Sequence, residues 1–500
     1  MTHIGLIGWT PVSPGAAVSV DLADGYAFVA DMGGVLDVFD ISDPTAPTVV
    51  GSYSQPGQEL IGVDVVGDYA YLAWDYYGLV RVDISDPTNP TYAGTQKDGT
   101  YANSFDSDDG VYGYVSYGYT YGSELKVYDL ASFPSAPVAS YNAVGNRHAG
   151  SVDVVGDRLY MAATNGGPYF EIVDVSNPLA PVQVAYLPTP QASYGTWSGE
   201  IEVAGDYAYW ARGALPSQGL TGGLLTIGIG DENNPYVADF DSIPDAGIVA
   251  LPGGGGSSGL DVVGDRLYMA STSGLYIYDL SDPADPALLI NPNVDTDFAL
   301  PGAFLPSRGG DVEVDNGFAY VTAFEMGNAG GLAVYDVADD IACDLFKGQG
   351  FEADIGDVVF SNTVDGLRIT LTGQDDWTIT EAKLHLGDVD TATRDVSGFP
   401  VNRGGNPKVG QFDYRADAVG DEIVFDFTLA ELDAADTDDD GIIAVATHAE
   451  LEGVWQNCQG GLSIVEAGAW GGCEGMDLDF GGKSTAMVME IDLADLGLFV

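Results

Sequence analysis

The residues best suited to bind a metal ion lie in one acidic stretch near the C-terminal end, residues 436–441 (DTDDDG). Carboxylates at alternate positions converge on one point when the following glycine lets the loop turn sharply, and hard oxygen ligands at that spacing suit Ca²⁺. We predict a structural Ca²⁺ site in which the ligands are the side chains of Asp436, Asp438 and Asp440 and the carbonyl of Ile442. An EF-hand is excluded because Thr447 stands where its bidentate glutamate would be; a solvated acidic hairpin turn remains the alternative.

A second group of candidates consists of aromatic side chains and scarce cations that fall at the ends of strand-like runs. Such a set suits sugar rings, whose apolar faces stack on aromatic rings while their hydroxyls form hydrogen bonds. The alternative is that these aromatics pack inside the fold, since tyrosine is abundant in this chain, with 28 residues. The candidate ligand-binding residues are Trp74, Tyr76, Tyr77, Tyr119, Arg147, His148, Trp197, Trp210, Arg212 and Arg308.

Patterns typical of enzymes are weak in this sequence. The four histidines are far apart and form no His-Glu-x-x-His pair for zinc. Residues 255–259 match the string of a nucleophile elbow, but they lie in a glycine run without the strand, turn and helix that such an elbow requires. We therefore predict no catalytic residues and no organic cofactor.

A repeated unit of four strands positions the aromatic candidates. Residues 62–94 contain four short β-branched and aromatic runs separated by turn residues, the pattern of an antiparallel meander. A turn dipeptide followed by an apolar strand recurs seven times, at intervals of 42 to 59 residues. The seven turns are Asp24-Gly25, Gly67-Asp68, Asp109-Gly110, Gly156-Asp157, Gly205-Asp206, Gly264-Asp265 and Asn316-Gly317.

Seven such units predict a seven-bladed β-propeller, because repeated four-stranded sheets close radially and leave few exposed edges. The third strand ends in aspartate in six of the seven units. The last unit lacks a fourth strand after Asp336, whereas residues 6–9 (LIGW) match the fourth strands of other units, such as 49–52 (VVGS). We expect the N-terminal strand to complete the last blade.

The third strands share a short pattern that ends in aspartate, and a fixed turn follows some of them. The segments are 79–83 (LVRVD), 125–129 (LKVYD), 170–174 (FEIVD) and 275–279 (LYIYD), with Ile-Ser-Asp-Pro at 41–44 and 84–87. They resemble the LVIVD repeat of secreted and cell-surface bacterial and archaeal proteins. The resemblance spans roughly residues 1–341 and implies a β-propeller at the cell surface. That family has no common activity, so the resemblance assigns no functional residues.

From about Ala342 the repeat disappears, and we predict a second domain over residues 342–500 after a propeller over residues 1–341. Strand-like runs punctuated by Gly, Asp and Pro, without a helical period, predict an antiparallel β-sandwich. Three of its segments, 376–387, 406–412 and 469–471, resemble a module appended to extracellular microbial proteins.

The three cysteines lie in the last third of the chain. Cys458 with Cys473 is the nearer pair and our first expectation for a disulfide, which would leave Cys343 over. The pairing stays open, because a link from Cys343 to either of the others would satisfy the same count.

Composition restricts the partners. With 16 Lys plus Arg against 75 Asp plus Glu, the formal charge is −59, which repels nucleic acid phosphates and anionic membrane surfaces. No apolar run of about 18 residues is present to span a membrane. The N-terminal residues lack the basic and apolar regions of a signal peptide, so an exported protein would appear here in mature form. We expect a saline or extracellular setting, with an unusually acidic cytosolic protein as the alternative.

These observations favour a secreted or surface-exposed protein that binds rather than catalyses, through adhesion or through recognition of a glycan or protein by the propeller. The first alternative is a self-associating subunit of an extracellular fibre or layer, with the protein itself as partner in a homo-polymer. The second is a polysaccharide-active enzyme, which would need paired carboxylates that the sequence does not single out.

Overall fold

The protein is all-β, and its computed structural model forms two compact units, Ile4–Asp336 and Val337–Val500. Each unit is considered by itself. The residues that the structure describes are 5–12, 16–55, 59–74, 78–97, 102–117, 124–143, 149–163, 169–189, 198–212, 222–243, 259–271, 274–292, 310–323, 330–337, 341–347, 353–363, 366–373, 377–390, 395–397, 412–417, 422–428, 431–432, 434–435, 442–456, 462–472, 477–479 and 487–492.

Within its described residues, the larger unit consists of seven four-stranded antiparallel sheets, which we number 1 to 7. Sheet 1 contains β2 (Ala17–Ala23), β3 (Tyr26–Asp31), β4 (Val35–Asp40) and β5 (Thr48–Ser54). Sheet 2 contains β6 (Leu60–Val66), β7 (Tyr69–Trp74), β8 (Gly78–Asp83) and β9 (Thr91–Gln96). Sheet 3 contains β10 (Ala102–Asp106), β11 (Tyr112–Tyr117), β12 (Glu124–Asp129) and β13 (Ala139–Asn142), with a 3-10 turn at Leu130–Ser132.

Sheets 4 to 7 follow the same meander. Sheet 4 contains β14 (Ala149–Val155), β15 (Arg158–Ala163), β16 (Tyr169–Asp174) and β17 (Val182–Pro188), and sheet 5 contains β18 (Ser198–Ala204), β19 (Tyr207–Arg212), β20 (Gly222–Gly228) and β21 (Tyr236–Ile243). Sheet 6 contains β22 (Leu260–Val263), β23 (Arg266–Ser271), β24 (Gly274–Asp279) and β25 (Ala287–Ile290). Sheet 7 contains β26 (Val312–Asp315), β27 (Phe318–Ala323), β28 (Gly331–Asp336) and β1 (Gly5–Pro11).

The N-terminal strand supplies the fourth strand of sheet 7. β1 pairs antiparallel with β28, with Trp9 opposite Ala333. Its Gly8 lies against the turn after β4, where an added Cβ would meet the Pro44 carbonyl oxygen at 2.6 Å. Gly51 of β5 is tighter still against sheet 2, where an added Cβ would meet the Pro87 carbonyl oxygen at 2.1 Å. β1 therefore makes the contact that a fourth strand makes elsewhere, and the sequence prediction for this strand is confirmed.

The first strands of the seven sheets lie side by side in one closed circuit. β2, β6, β10, β14, β18, β22 and β26 follow one another as neighbours, and β26 lies next to β2. The cores fill the spaces between adjacent sheets: Leu36 and Val38 of sheet 1, for example, pack with Leu72 and Trp74 of sheet 2. Since neighbouring sheets share a core, no sheet has to bury both faces alone.

The smaller unit has eleven described strands, which hydrogen bonds join into one antiparallel sheet. Its core includes Phe360, Leu367, Leu384, Phe427 and Ile443. The strands are β29 (Ile341–Lys347), β30 (Ala353–Thr363), β31 (Gly366–Gly373), β32 (Trp377–Asp390), β33 (Asp395–Ser397), β34 (Tyr414–Asp417), β35 (Glu422–Thr428), β36 (Ile442–Gln456), β37 (Leu462–Gly472), β38 (Asp477–Asp479) and β39 (Met487–Asp492).

That sheet bends back on itself, because β32 contacts β31 and β35 without being hydrogen-bonded to either. The separation into two sheets that a sandwich requires stays a prediction. Over the described residues, the structure contains no helix of the length and apolarity needed to cross a membrane.

Candidate functional site: an axial ring of carboxylates

Three of the predicted ligand-binding residues are interior packing residues. Trp74 is buried in the core between sheets 1 and 2, and Trp210 is buried in the core that sheets 4 and 5 share. The guanidinium of Arg212 lies 5.2 Å from the centre of the Trp210 ring and 5.8 Å from that of Phe240, and burial lowers the pKa of Arg212 to about 10. These three residues strengthen contacts within the fold and do not form an exposed stacking platform.

The remaining predicted site residues lie, with one exception, outside the described residues. The exception is Ile442, which begins β36 and pairs with Asp492 of β39. The site predictions for the others stay predictions: Tyr76, Tyr77, Tyr119, Arg147, His148, Trp197, Arg308, Asp436, Asp438 and Asp440.

The first strand of every sheet carries one acidic residue that the sequence predictions above did not single out. Each stands three residues before the turn dipeptide that ends its strand, and each pairs across the sheet with an aromatic residue of the second strand. The seven pairs are Asp21 with Phe28, Asp64 with Tyr71, Asp106 with Tyr114, Asp153 with Tyr160, Glu202 with Tyr209, Asp261 with Tyr268 and Glu313 with Tyr320.

These seven acids form what we call the axial ring. Because the first strands stand side by side in a closed circuit at matching register, equivalent positions on them surround a common axis. The electrostatic interactions agree with this placement: Asp21 acts on its neighbours Asp64 and Glu313, and also on Asp106 and Asp261, which lie two sheets away in either direction. The ring therefore gathers acids from the whole circuit.

Four of the ring aspartates join adjacent sheets. Asp21 accepts a hydrogen bond from the backbone N–H of Val65, Asp106 from Val154, and Asp261 from Val314 at 2.6 Å. Asp153 interacts in the same way with Val203. In each case the donor comes one residue after the ring acid of the next sheet, so the contact fixes the register between sheets.

Asp64, Glu202 and Glu313 form the other part of the ring. Within the described residues, none of these three side chains has a hydrogen bond to the next strand, and the pKa of each is raised well above the usual value, by burial first and by neighbouring carboxylates second. Burial and neighbouring carboxylates destabilise the charged forms of these three side chains. Within the same part of the chain, they lack the hydrogen bonds to the next strand that stabilise the four joining aspartates.

A second layer of contacts lies two residues earlier on the same strands. Ser19 accepts a hydrogen bond from the Val63 N–H at 3.2 Å, and Asp311 accepts one from Val20 at 3.1 Å, so this layer also spans the junction between sheets 7 and 1. Glu200 accepts from Leu260 at 3.0 Å and shares a hydrogen bond with Asp311. Because two carboxylates cannot both be ionised in such a bond, this pair holds a proton.

One glycine makes room for that carboxyl pair. Glu200 belongs to sheet 5 and Asp311 to sheet 7, and Gly259 of sheet 6 lies between them; an added Cβ would come within 2.1 Å of Asp311 Oδ1. The equivalent residue of sheet 2, Gly62, has open space, with its nearest contact at 3.5 Å from Ala73. The close approach at Gly259 is thus specific to the carboxyl pair.

Burial dominates the electrostatics of the ring. It raises the pKa of Asp21 and Asp261 to about 6, of Asp106 to about 7 and of Asp153 to about 8. All four side chains are nevertheless partly reachable by solvent. Groups that are surrounded by protein yet only partly reachable by water have poorly hydrated charge, and neighbouring charges there interact strongly.

Comparison with known proteins identifies four of these sheets. A family model described as the LVIVD repeat matches residues 14–55, 61–98, 146–187 and 254–294, which contain sheets 1, 2, 4 and 6. The chain contains four LVIVD repeats. LVIVD repeats form β-propeller blades, so these four sheets are blades, and the sequence resemblance is confirmed for them.

Two further comparisons, with curated proteins and with solved structures, assign no function to the chain. A search among curated proteins found no match to this chain. Among solved structures, the chain is similar to the computationally designed Ika8 protein, with a TM-score of 0.43 and 8% sequence identity over 73% of this chain and 99% of the designed one.

Proposed function

We propose that this LVIVD-repeat protein is an extracellular or cell-surface binding and adhesion protein without a catalytic role. In this proposal residues 1–341 form a seven-bladed β-propeller and residues 342–500 a β-sandwich. The ligand is a glycan or a protein that the propeller recognises at one end of its circuit of strands.

The direction of the strands is the observation that carries this proposal. Neighbouring first strands run in parallel, since contacts between them follow the same order along both strands: Ser19 and Asp21 of β2 accept from the N–H groups of Val63 and Val65 of β6, respectively. The second strands of all seven sheets therefore end on the same side, at residues such as Trp74, Tyr117 and Arg212. The chain segments that follow these strand ends come from separate sheets, and in our proposal they bind one ligand together.

The residue types in those segments favour a sugar or a polar protein surface. Tyr76 and Tyr77 follow β7, Tyr119 follows β11, and Trp197 precedes β18. Aromatic rings stack on the apolar faces of sugars, and the cations Arg147, His148 and Arg308 add hydrogen-bond donors in a chain that has few.

Glycan-array and surface-capture measurements on the whole protein test the proposal. We expect a bound glycan or extracellular protein whose affinity falls at least tenfold in a Tyr76→Ala/Tyr77→Ala/Trp197→Ala variant. Tyr92→Ala/Tyr236→Ala is the matched control, because both of these tyrosines are exposed but lie on fourth strands, far from the first-strand circuit. Turnover of a polysaccharide would contradict the proposal, as would equal losses in both variants.

A second candidate function, self-association into a fibre or layer, is favoured by the outer strands. The exposed large apolar side chains concentrate on fourth strands, at Val49, Tyr92, Val182, Tyr186, Tyr236 and Leu288. A fourth strand also has one unpaired backbone edge, and an exposed apolar edge is a template for pairing with another chain.

Size-exclusion chromatography and electron microscopy, with millimolar Ca²⁺ and with a chelator, separate the two candidates. Single particles in both conditions would support the ligand-binding function. Ordered filaments or sheets that dissociate on chelation would support self-association, because two surfaces this acidic repel one another unless cations bridge or screen them.

A further inference from the structure

The Glu200–Asp311 carboxyl pair connects four of the seven sheets. Glu200 belongs to sheet 5 and accepts a hydrogen bond from the Leu260 N–H of sheet 6. Asp311 belongs to sheet 7 and accepts one from the Val20 N–H of sheet 1. The hydrogen bond between the two carboxyls therefore ties sheets 5 and 6 to sheets 7 and 1, the part of the circuit that includes its point of closure.

The surroundings of the pair place its shared proton on Glu200. Asp311 accepts hydrogen bonds from the N–H groups of Val20 and Val312. The Ser19 hydroxyl donates a further one, and all three favour the anionic form of Asp311. Burial first and the Asp311 carboxylate second raise the pKa of Glu200 well above its usual value. Glu200 is therefore the donor in the bond between the carboxyls, and Asp311 is the acceptor.

The charged neighbours of the pair would not compensate a second negative charge. Within the described residues, the groups that interact electrostatically with Glu200 or Asp311 are acids on each adjoining first strand, namely Asp21 of β2, Glu202 of β18, Asp261 of β22 and Glu313 of β26. Loss of the shared proton would leave two carboxylates in contact where water hydrates them poorly. Such a pair repels strongly, because the surroundings screen the charges only weakly.

The repulsion would act across the junction between sheets 6 and 7. The Gly259 N–H of sheet 6 donates to the Gly310 carbonyl of sheet 7 at 2.9 Å, and the Val314 N–H of sheet 7 donates to Asp261 of sheet 6 at 2.6 Å. Gly259 also lies between the two carboxyls. The hydrogen bonds that join these two sheets are thus the ones next to the proton.

We propose that the Glu200–Asp311 pair is a pH-sensitive switch that controls the junction between sheets 6 and 7. With the proton on Glu200, the bond between the carboxyls holds sheet 7 against its neighbours. As the pH rises, the proton leaves to solvent, the two carboxylates repel each other, and sheet 7 separates from sheet 6. The direction follows from linkage: a group whose pKa is raised in the folded state stabilises it at low pH, and this stabilisation is lost as the pH rises.

Amide hydrogen exchange on the whole protein, corrected for the intrinsic exchange rate at each pH, tests the switch. The protection of the Gly259 and Val314 amides should fall at least tenfold between about pH 6 and about pH 9. The amides of Val65 and Val154 are internal references, because each donates to a ring aspartate as Val314 does. Their protection should change much less, since the carboxyl pair does not adjoin them.

Glu200→Gln tests the role of the proton. A glutamine can still donate to the Asp311 carboxylate but cannot ionise, so the loss of protection at the junction with rising pH should disappear. Glu202→Gln is the matched control, because it makes the same change in another buried glutamate two residues along the same strand. It should leave most of the pH dependence in place. Asp311→Asn removes the second charge of the pair and should reproduce the result of Glu200→Gln.

Three results would overturn the proposal. Equal losses of protection at the junction and at the two reference amides would indicate diffuse repulsion around the ring. Equal suppression of the loss by Glu200→Gln and Glu202→Gln would show that any buried charge on this strand has the effect. Protection at the junction that stays constant between about pH 6 and about pH 9 in the original protein would show that the pair controls nothing. Circular dichroism establishes that each variant is folded, and Asp311→Asn provides the test if Glu200→Gln is not.

Discussion

Carboxylates serve two opposite purposes in this protein. The axial ring holds seven acids whose pKa values are raised by burial, whereas the aspartates that end the third strands, such as Asp40, Asp83 and Asp174, have pKa values lowered by hydrogen bonds. In Asp83, Oδ1 accepts hydrogen bonds from the Ser85 hydroxyl at 2.6 Å and from the Ser85 N–H at 3.1 Å. The turn aspartates are stabilised as anions, and the ring acids are strained as anions.

The difference between the two sets teaches that position, not residue type, decides what an acid does here. Both sets recur once per sheet in nearly every repeat, and aspartate is the commoner residue in both. The turn aspartates are exposed, and water and local donors solvate their charge, whereas the ring acids are surrounded by protein and act on one another. A high acidic content can therefore stabilise one part of a fold and oppose folding in another.

The largest effect that we predict from the difference between the two sets is on how the stability of the protein depends on pH. In a chelator, the unfolding temperature should fall as the pH is raised from about 5 to about 8.5, because groups whose pKa is raised in the folded state favour folding only while protonated. The expected loss is on the order of 5 kcal/mol in total for the ring. Differential scanning calorimetry in buffers with a chelator measures it.

The ring variant Asp64→Asn/Glu202→Gln/Glu313→Gln is the control for this profile. Its unfolding temperature should be higher than that of the original protein at alkaline pH and should depend less on pH. A stability that rises between mildly acidic and alkaline pH in the chelator would contradict the assignment of the ring as a cluster of strained charges.

Gly259→Ala should have the next largest effect. The new methyl group would meet Asp311 Oδ1 and the Asp311 backbone, so we expect a loss of about 2–3 kcal/mol in the free energy of unfolding of the larger unit, as overpacking typically costs. Gly62→Ala, at the equivalent place in sheet 2, should cost well under half as much. Urea unfolding of both variants measures the difference; equal losses would show that the carboxyl pair does not require the open space.

A comparison inside the ring should give a smaller effect. Asp21→Ala leaves the N–H of Val65 without its acceptor and should lower the free energy of unfolding by about 1–2 kcal/mol at pH 5, as an unsatisfied buried donor does. Asp64→Ala breaks no such bond and should be close to neutral at that pH. Urea midpoints are measured at pH 5, where protonation removes much of the repulsion between the ring carboxylates. The difference between the two variants at this pH therefore reports the lost hydrogen bond and not the lost charge.

Asp40→Ala should have the smallest effect. It removes the bond from the Ser42 N–H, 3.0 Å long, at a solvated turn, so a loss of about 0.5–1 kcal/mol is expected. The stabilisation by Asp40 is present at neutral pH and should disappear as the pH falls below about 4, because its pKa is lowered in the folded state. Urea midpoints at pH 7 and in acid check both the size and the sign, which is opposite to that of the ring.

The sequence alone predicted the repeating part of the fold well. Turn dipeptides at regular intervals and alternating apolar strands specify the four-stranded sheets locally, and the absent fourth strand after Asp336 pointed to β1. The LVIVD repeats were recognisable because the third strand and its turn are short local patterns. How the eleven strands of the smaller unit pair depends on long-range contacts, which no local pattern specifies.

The candidate site was harder to predict, for a physical reason. The ring acids recur three residues before each turn, a signal that is visible in the sequence, but in a chain with 75 acids their meaning emerges only when the strands stand around one axis. Trp74 and Trp210 were predicted to bind a ligand but are buried. A large aromatic residue at the end of a strand fits a buried core as well as a binding surface, so its type alone does not separate the two.

The strand that completes sheet 7 also constrains the order of events during folding. Trp9 must find Ala333, and the Val20 N–H must find Asp311, which lies 291 positions further along the chain. Contacts between such distant segments pay a large loop-closure entropy and form slowly. Because β1 precedes the other strands of sheet 7 along the chain, it must wait for its partner until the last sheet has been made, and the circle can close only after nearly all of its parts exist.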